Sequence, residues 1–398
     1  MRNILLVTSL YPLPTPENNC TYVCHFFTRE WVKMGYRVVV IHQQPVHCRA
    51  WHLMVRLFGK QLTNLAGGGN FYARRIRQTE HYVMDGVPVF RVPIYNFIPH
   101  GRYPKRSVEA FRKEVDRILD EIGFRPDCIV GHAGELEIIP TLNQRYGAKT
   151  AMVSHGIPKK IRQRYPDCDE LIRSYDAWGF RAKPIKEAFE RRFPSPRKAF
   201  YCWSGIPESY LSLDNTHASG RFSDRYLFVG ELIERKYPIS LLQAIPGCAG
   251  PGYSITYIGT GPEEERLKSF TRTKGLQDHV HFLGQVPRDA LTAHFDAADC
   301  FIMISRAEAY GLVYLEAMAR GCLVVTARGE GFDGIIEDGV NGFLCGAGDV
   351  HELSAVISRI RGLSDSQRAA ISESALRTAR GMTDGKMAER YVHELENL

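Results

Sequence analysis

The run Cys300-Phe-Ile-Met-Ile304, Ser305-Arg-Ala-Glu-Ala-Tyr-Gly-Leu-Val-Tyr-Leu-Glu-Ala-Met-Ala-Arg-Gly321, Cys322-Leu-Val-Val325 is continuous in the chain. Its first and last pieces are apolar throughout, which is how strands covered on both faces read. The middle piece turns at Gly311 and then carries apolar residues at helical spacing as far as Gly321, where a glycine C-cap is expected. Strand, helix and strand in that order form a βαβ unit, which joins parallel strands.

The pattern repeats outward from that unit. Tyr226-Leu-Phe-Val229 and Ser254-Ile-Thr-Tyr-Ile258 read as strands of the same half. Ile4 to Val7, Arg37 to Ile41, Cys128 to Val130 and Thr150 to Val153 read as strands of the other. Thr21 to Met34 has helical spacing and stops before Gly35. Alternating strands and helices imply an α/β protein of two doubly wound domains. The Pro- and Arg-rich stretch from Arg191 to Lys198 separates them. The expected division is 1–200 for an N-terminal domain and 201–380 for a C-terminal one, with a last helix over 381–398 packing back toward the first. Residues 46–75 and 159–198 read as irregular and basic.

Composition excludes several classes. In a chain of 398 residues, 44% hydrophobic and 24% charged residues are globular values, not those of a disordered, collagen-like or coiled-coil chain. No apolar run reaches the roughly 18 residues of a membrane-spanning helix, and the apolar start Ile4 to Val7 is too short for a signal peptide core. The expectation is a soluble, cytoplasmic protein. The ten cysteines include no C-x-x-C pair and no zinc-type spacing, so they read as reduced thiols. Cys20 and Cys24, beside His25, read as small apolar residues of a helix face, and no metal site is expected. Residues 1–200 hold 32 Lys and Arg against 18 Asp and Glu, a balance of +14, whereas residues 201–398 hold 19 against 26, or −7. A basic half suits nucleic acid, an anionic membrane or a phosphorylated substrate.

The chemistry concentrates around Gly311. A helix beginning at Gly311-Leu312 turns unpaired backbone N–H groups toward the expected inter-domain cleft, where they suit a diphosphate. Glu316, one turn in, is placed to accept hydrogen bonds from the vicinal diol of a ribose, and Glu308, in the preceding loop, from a second ring of hydroxyls. Tyr310 reads as packing beside the donor, with its backbone the nearer part.

At these residues the chain resembles the retaining glycosyltransferases of family 4, which have the GT-B fold. The resemblance takes in Tyr226-Leu-Phe-Val-Gly-Glu-Leu-Ile-Glu-Arg-Lys236, Gly259-Thr-Gly-Pro-Glu263, Phe282-Leu-Gly284 and Glu337-Asp-Gly-Val-Asn-Gly-Phe-Leu344. In the N-terminal half it takes in Pro126-Asp127 with His132, and His155-Gly156. It implies that Gly230, Arg235, Lys236, Gly259, Gly261, Tyr310, Gly311, Leu312 and Glu316 bind a nucleotide-diphosphate sugar. Lys236 would neutralise the diphosphate, Glu316 hold the ribose, Glu308 hold the transferred sugar and His155 sit by its anomeric carbon. Asn18, Asn19 and His132 would lie on the acceptor side, with Asn18-Asn19 in place of the family's Gly-Gly. Glu231 replaces an arginine of the family, and Arg235 is expected to offset it.

The resemblance also implies no metal and no cofactor, the nucleotide sugar being a substrate, and a polysaccharide or lipid-linked glycan acceptor. Trp51, Leu53, Met54, Leu57 and Phe58, interleaved with Arg56 and Lys60, add an anionic membrane surface at the inner face of the cell membrane as a partner. Three other readings are weaker on the residues. A nucleotide-sugar epimerase would share the architecture. A nucleic-acid-binding protein would need a recognition signature that is absent, and a dinucleotide dehydrogenase would need Gly-x-Gly-x-x-Gly after the first strand.

Overall fold

Ile4, Leu5, Leu6 and Val7 are shut off from solvent and form the middle of β1 (Asn3–Thr8). The structure, a computed structural model, describes residues 1–14, 21–65, 75–96, 101–133, 135–156, 161–211, 217 and 219–398, with backbone alone for 59–65 and 289. Asn18 and Asn19 lie outside the described residues. The chain divides into two units. The first comprises Met1–Arg181, Ile185–Cys202 and Met387–Leu398, and the second Ala182–Pro184 and Trp203–Lys386.

The first unit is built on eight strands. After β1 come β2 (Arg37–Val46), β3 (Glu80–Met84), β4 (Val87–Tyr95), β5 (Cys128–His132), β6 (Lys149–Ser154), β7 (Ala177–Phe180) and β8 (Ala199–Tyr201). They lie in the order β3-β4-β2-β1-β5-β6-β7-β8. All neighbours are parallel except the edge hairpin β3–β4. Ile4 stands opposite Val38 on one side and Cys128 on the other. The helix Lys105–Glu121 turns Phe111, Val115, Ile118 and Leu119 into one apolar cluster with Leu5, Ile129 and Met152. Each large apolar side chain buried in this way contributes about 1.5–3 kcal/mol by leaving water.

The second unit has six strands: β9 (Arg225–Val229), β10 (Ser254–Ile258), β11 (Val280–Phe282), β12 (Cys300–Met303), β13 (Leu323–Ala327) and β14 (Phe343–Cys345). Their order is β11-β10-β9-β12-β13-β14, and every pairing is parallel. Ile255, Tyr257, Phe301, Ile302, Val324 and Val325 are fully buried, so the sheet is covered on both faces.

Three expectations need correction. The helix after Gly311 runs only over Leu312–Met318, with Ala319 as its C-cap; Gly321, at φ +81°, serves the following turn instead. The stretch 46–75 is not irregular throughout, since Arg49–Leu65 is helical with a non-helical break at Phe58. Within 159–198 the chain forms the helices Ile161–Arg164, Cys168–Ser174 and Lys183–Glu190 as well as β7.

In each sheet the winding reverses beside the first strand, between β1 and β5 and between β9 and β12. Ligands of open parallel sheets bind outside the carboxyl ends of the strands at such a reversal. The residues that follow β9, β10 and β12, and those that follow β5 and β6, are therefore the ones to inspect.

Candidate functional site

In the second unit, Gly230 follows β9 directly, and a short 3-10 turn, Glu234–Lys236, brings Lys236 back over it. A Cβ on Gly230 would stand 2.8 Å from Lys236 Nζ, so the amine lies close against this backbone. Burial holds the Lys236 ammonium below its usual range, against the pull of Glu308. Arg235 lowers it further and Glu231 raises it.

Gly259 and Gly261 follow β10. A Cβ on Gly259 would come within 2.0 Å of the Gly230 carbonyl oxygen, and one on Gly261 within 2.3 Å of the Leu232 carbonyl oxygen. Both glycines are therefore required where two loops pack backbone to backbone. That fixes the path of the Gly230–Lys236 loop.

The loop after β12 supplies Glu308, whose backbone N–H donates to Glu330 Oε2 at 2.9 Å. Its carboxylate meets Arg235 at 3.5 Å. Arg235 is thus the ion partner of Glu308. The Arg306 N–H donates to the Arg235 carbonyl at 2.7 Å, which ties the two loops together. Tyr310 is buried, and its hydroxyl donates to the Ser204 carbonyl at 2.7 Å, so its ring is an anchor. Gly311 opens the helix at φ +84°, and a Cβ there would strike the Tyr314 ring at 2.4 Å. Leu312 is the first helical residue.

Glu316 is buried on that helix. Arg288, on the short turn Arg288–Ala290, donates to its Oε1 through Nη2 at 2.6 Å and Nε at 3.2 Å. The Arg288 guanidinium also lies over the Tyr210 ring, 5.5 Å from its centroid. Neither Arg288 nor Glu330 was singled out from the sequence. Each holds a site carboxylate or its loop across more than twenty residues, and no local pattern announces such a pairing.

The first unit carries a second group. His132 ends β5 and His155 follows β6, with His132 opposite Val153 in the sheet. His132 Nδ1 stands 3.0 Å from His155 Nε2, and His132 Nε2 stands 3.0 Å from the Tyr391 hydroxyl. Burial, then the charge of Arg181, pushes the His155 imidazole down to about 3. Burial, then His155 and Arg181, holds His132 well below its usual range. Both rings are neutral across the physiological range. Asp127, in contrast, is structural: its Oδ2 accepts the N–H groups of Arg2 and Asn3 at 2.8 and 3.0 Å, where β1 begins. Among the described residues, no three or more His, Cys, Asp or Glu are grouped to hold a metal ion.

Known proteins share this architecture. A solved structure of Anabaena Alr3699/HepE in complex with UDP superposes with a TM-score of 0.70 at 17% identity, covering 100% of both chains. In sequence, the chain is 31% identical over 261 residues to a GDP-mannose-dependent alpha-(1-6)-phosphatidylinositol monomannoside mannosyltransferase of Mycolicibacterium smegmatis, covering 60% of this chain and 68% of that protein. It is 32% identical over 132 residues to the lipopolysaccharide core biosynthesis glycosyltransferase LpsE of Rhizobium meliloti, covering 33% of this chain but only 38% of that protein. The family described as glycosyl transferases group 1 matches residues 218–377, which hold every donor-side residue considered above. With two parallel α/β units, a whole-chain structural likeness and a relative matched over two thirds of its length, the chain has the GT-B fold and belongs to the glycosyl transferases group 1.

Proposed function

We propose that the protein is a retaining glycosyltransferase that moves a sugar from a nucleotide-diphosphate sugar to a hydroxyl of a lipid-linked or polysaccharide glycan. The observation that carries this reading is the gathering, at the carboxyl ends of β9 and β12, of one buried-stemmed lysine and two carboxylates held by arginines: Lys236 over Gly230, Glu308 with Arg235, and Glu316 with Arg288. A cation and two fixed acceptors suit a ligand with a diphosphate, a ribose and a sugar. The GDP-mannose dependence named for the mycolicibacterial relative and the UDP bound in the Anabaena structure support the same ligand class.

In this reading Lys236, with the first amides after Gly311, takes up the charge that develops on the leaving diphosphate, and no metal is needed for that purpose. Glu316 holds the ribose and Glu308 the hydroxyls of the transferred sugar. His155 donates a hydrogen bond to substrate. The C1–O bond to phosphate breaks as the C1–O bond to the acceptor forms on the same face. The acceptor proton passes to the departing phosphate oxygen, so the anomeric configuration is kept.

The test is a panel of nucleotide sugars, GDP-mannose and UDP-glucose included, read by thermal shift and then by transfer in EDTA. A matching donor at 100 times its Kd adds about 2.7 kcal/mol of stability. The product should show retained configuration by NMR. Epimerised donor with no transfer, an inverted product, or activity lost in EDTA and restored by magnesium each overturns the corresponding part.

A further inference from the structure

Tyr391 lies on the helix Asp384–Glu396, whose second part belongs to the first unit. Trp31 Nε1 donates to the Ala388 carbonyl at 3.0 Å, and Lys198 pairs with Glu394 at 2.9 Å, so the helix is fastened on both sides of the tyrosine. The Tyr391 ring is buried among Phe27, Trp31 and Phe200, with centroids 5.2, 5.1 and 5.5 Å away. Aromatic packing explains the ring. It does not explain a hydroxyl at that depth, which meets His132 Nε2 and the thiol of Cys202.

A neutral imidazole has one N–H and one lone pair, so the direction of one hydrogen bond in a chain of two rings sets the next. Two arrangements are open. In one, Tyr391 donates to His132 Nε2, His132 donates from Nδ1 to His155 Nε2, and His155 keeps its proton on Nδ1. In the other every bond is reversed, and the Tyr391 proton must then turn to the Cys202 sulfur. Sulfur is a weak acceptor and an imidazole nitrogen a good one. Burial keeps the Cys202 thiol protonated, pushed up to about 12, so it is able to donate to the Tyr391 oxygen and complete the first arrangement.

We propose that Tyr391 is a positioning residue, which by donating to His132 fixes His155 as the Nδ1–H tautomer and so as a hydrogen-bond donor to a substrate hydroxyl. The relay rests on the hydrogen-bond geometry of Tyr391, His132 and His155 and on both rings being neutral; its consequence for transfer rests on the proposed function, in which His155 touches substrate.

The experiment uses the full chain labelled with 15N-histidine, its ring signals assigned with His132→Asn and His155→Asn variants. Long-range 1H–15N spectra of the parent should show both histidines as Nδ1–H tautomers, and Tyr391→Phe should populate the Nε2–H forms of both. With a donor identified, Tyr391→Phe should lower kcat about tenfold, the size of one lost hydrogen bond, and leave the donor KM within about twofold. Nε2–H tautomers in the parent, or tautomers unmoved by Tyr391→Phe, overturn the proposal. The parent spectrum decides the relay even where the variant does not fold. Absence of transferase activity strikes the functional reading and leaves the tautomer result standing.

Discussion

Arg288 donates twice to a single oxygen of Glu316, Nη2 at 2.6 Å and Nε at 3.2 Å from Oε1. The pair is unequal in exposure: the Glu316 side chain is 7% exposed and that of Arg288 45%. Removing the arginine leaves a buried carboxylate alone, which costs about 3–5 kcal/mol. Removing the glutamate leaves a guanidinium that still reaches water and still lies over Tyr210. Arg288→Ala should therefore destabilise the protein by several kcal/mol in urea unfolding, and Glu316→Ala by about 1 kcal/mol. Activity should reverse the order, with Glu316→Ala folded and nearly inactive. Equal stability losses would mean that Glu316 is not buried as an ion.

Lys236 yields a prediction about protons. Burial lowers its affinity for a proton in the free protein, and a bound diphosphate restores it. At pH values between the lowered and the ordinary lysine pKa, binding of a nucleoside diphosphate should take up protons, seen as a dependence of the calorimetric enthalpy on the buffer's ionisation enthalpy. The free nucleoside should show no uptake. Lys236→Ala should abolish the uptake and weaken the diphosphate by about 10- to 100-fold, as loss of a charged hydrogen bond of about 1.5–3 kcal/mol requires. Equal weakening of diphosphate and nucleoside would make this lysine structural.

Some of this was readable from the chain and some was not, for physical reasons. Tyr226–Val229, Ser254–Ile258 and Cys300–Met303 are central strands, covered on both faces, and continuous apolar runs disclose such strands. The hairpin strand Glu80–Met84 alternates between half-buried and exposed positions at a sheet edge, and Pro88 and Pro93 interrupt the reading of its partner. Ala199–Tyr201 and Phe343–Cys345 are three residues each, too short to show a period. Lys236, Glu308 and Glu316 were marked as candidates, the glutamates by a local strand–turn–helix pattern and the lysine by the resemblance of its stretch to a donor loop. Arg288 and Tyr391 were not, because their partners are 28 and 259 residues away in the chain, and only the folded sheet brings them together.

The buried histidines make stability depend on acid. His42 is pushed down to about 3 by burial and then by Arg91, His155 to about 3 by burial and Arg181, and His132 is lowered by burial. Each is neutral when folded and takes up a proton near pH 6.5 when unfolded. Between pH 6.5 and 4.5 the unfolded state therefore binds more protons, and stability falls as pH falls, by up to about 1.4 kcal/mol per pH unit for each group. Urea midpoints should drop steeply over this window while remaining level above pH 7. In His155→Asn the slope should be smaller by one histidine's share. A flat profile from pH 7.5 to 5 would show that these rings charge without unfolding.

The helix Arg49–Leu65 divides its apolar residues unusually. His52 and Val55 face inward, whereas Leu53, Met54, Leu57 and Phe58 are 57%, 43%, 64% and 53% exposed, with Arg49 and Arg56 among them. Trp51 is half-buried, its ring edge-on to His47 at 6.0 Å; the Lys60 side chain lies outside the described residues. Four neighbouring exposed apolar side chains form a patch that water does not favour, and residues 1–200 carry the +14 balance. No helix among the described residues is long and apolar enough to cross a membrane. We therefore expect the first unit to rest on an anionic lipid surface, the apolar tips in the headgroup boundary and each nearby cation adding about 1 kcal/mol. A lipid-linked acceptor would reach a transferase held in that way without leaving the membrane. The protein should sediment with phosphatidylserine vesicles and not with phosphatidylcholine ones, and release as salt rises because the attraction is screened over about 10 Å at 0.1 M. Replacing Leu53, Met54, Leu57 and Phe58 by Ser should abolish sedimentation while leaving nucleotide binding intact. Protein that stays in the supernatant at low salt would assign the patch to another partner.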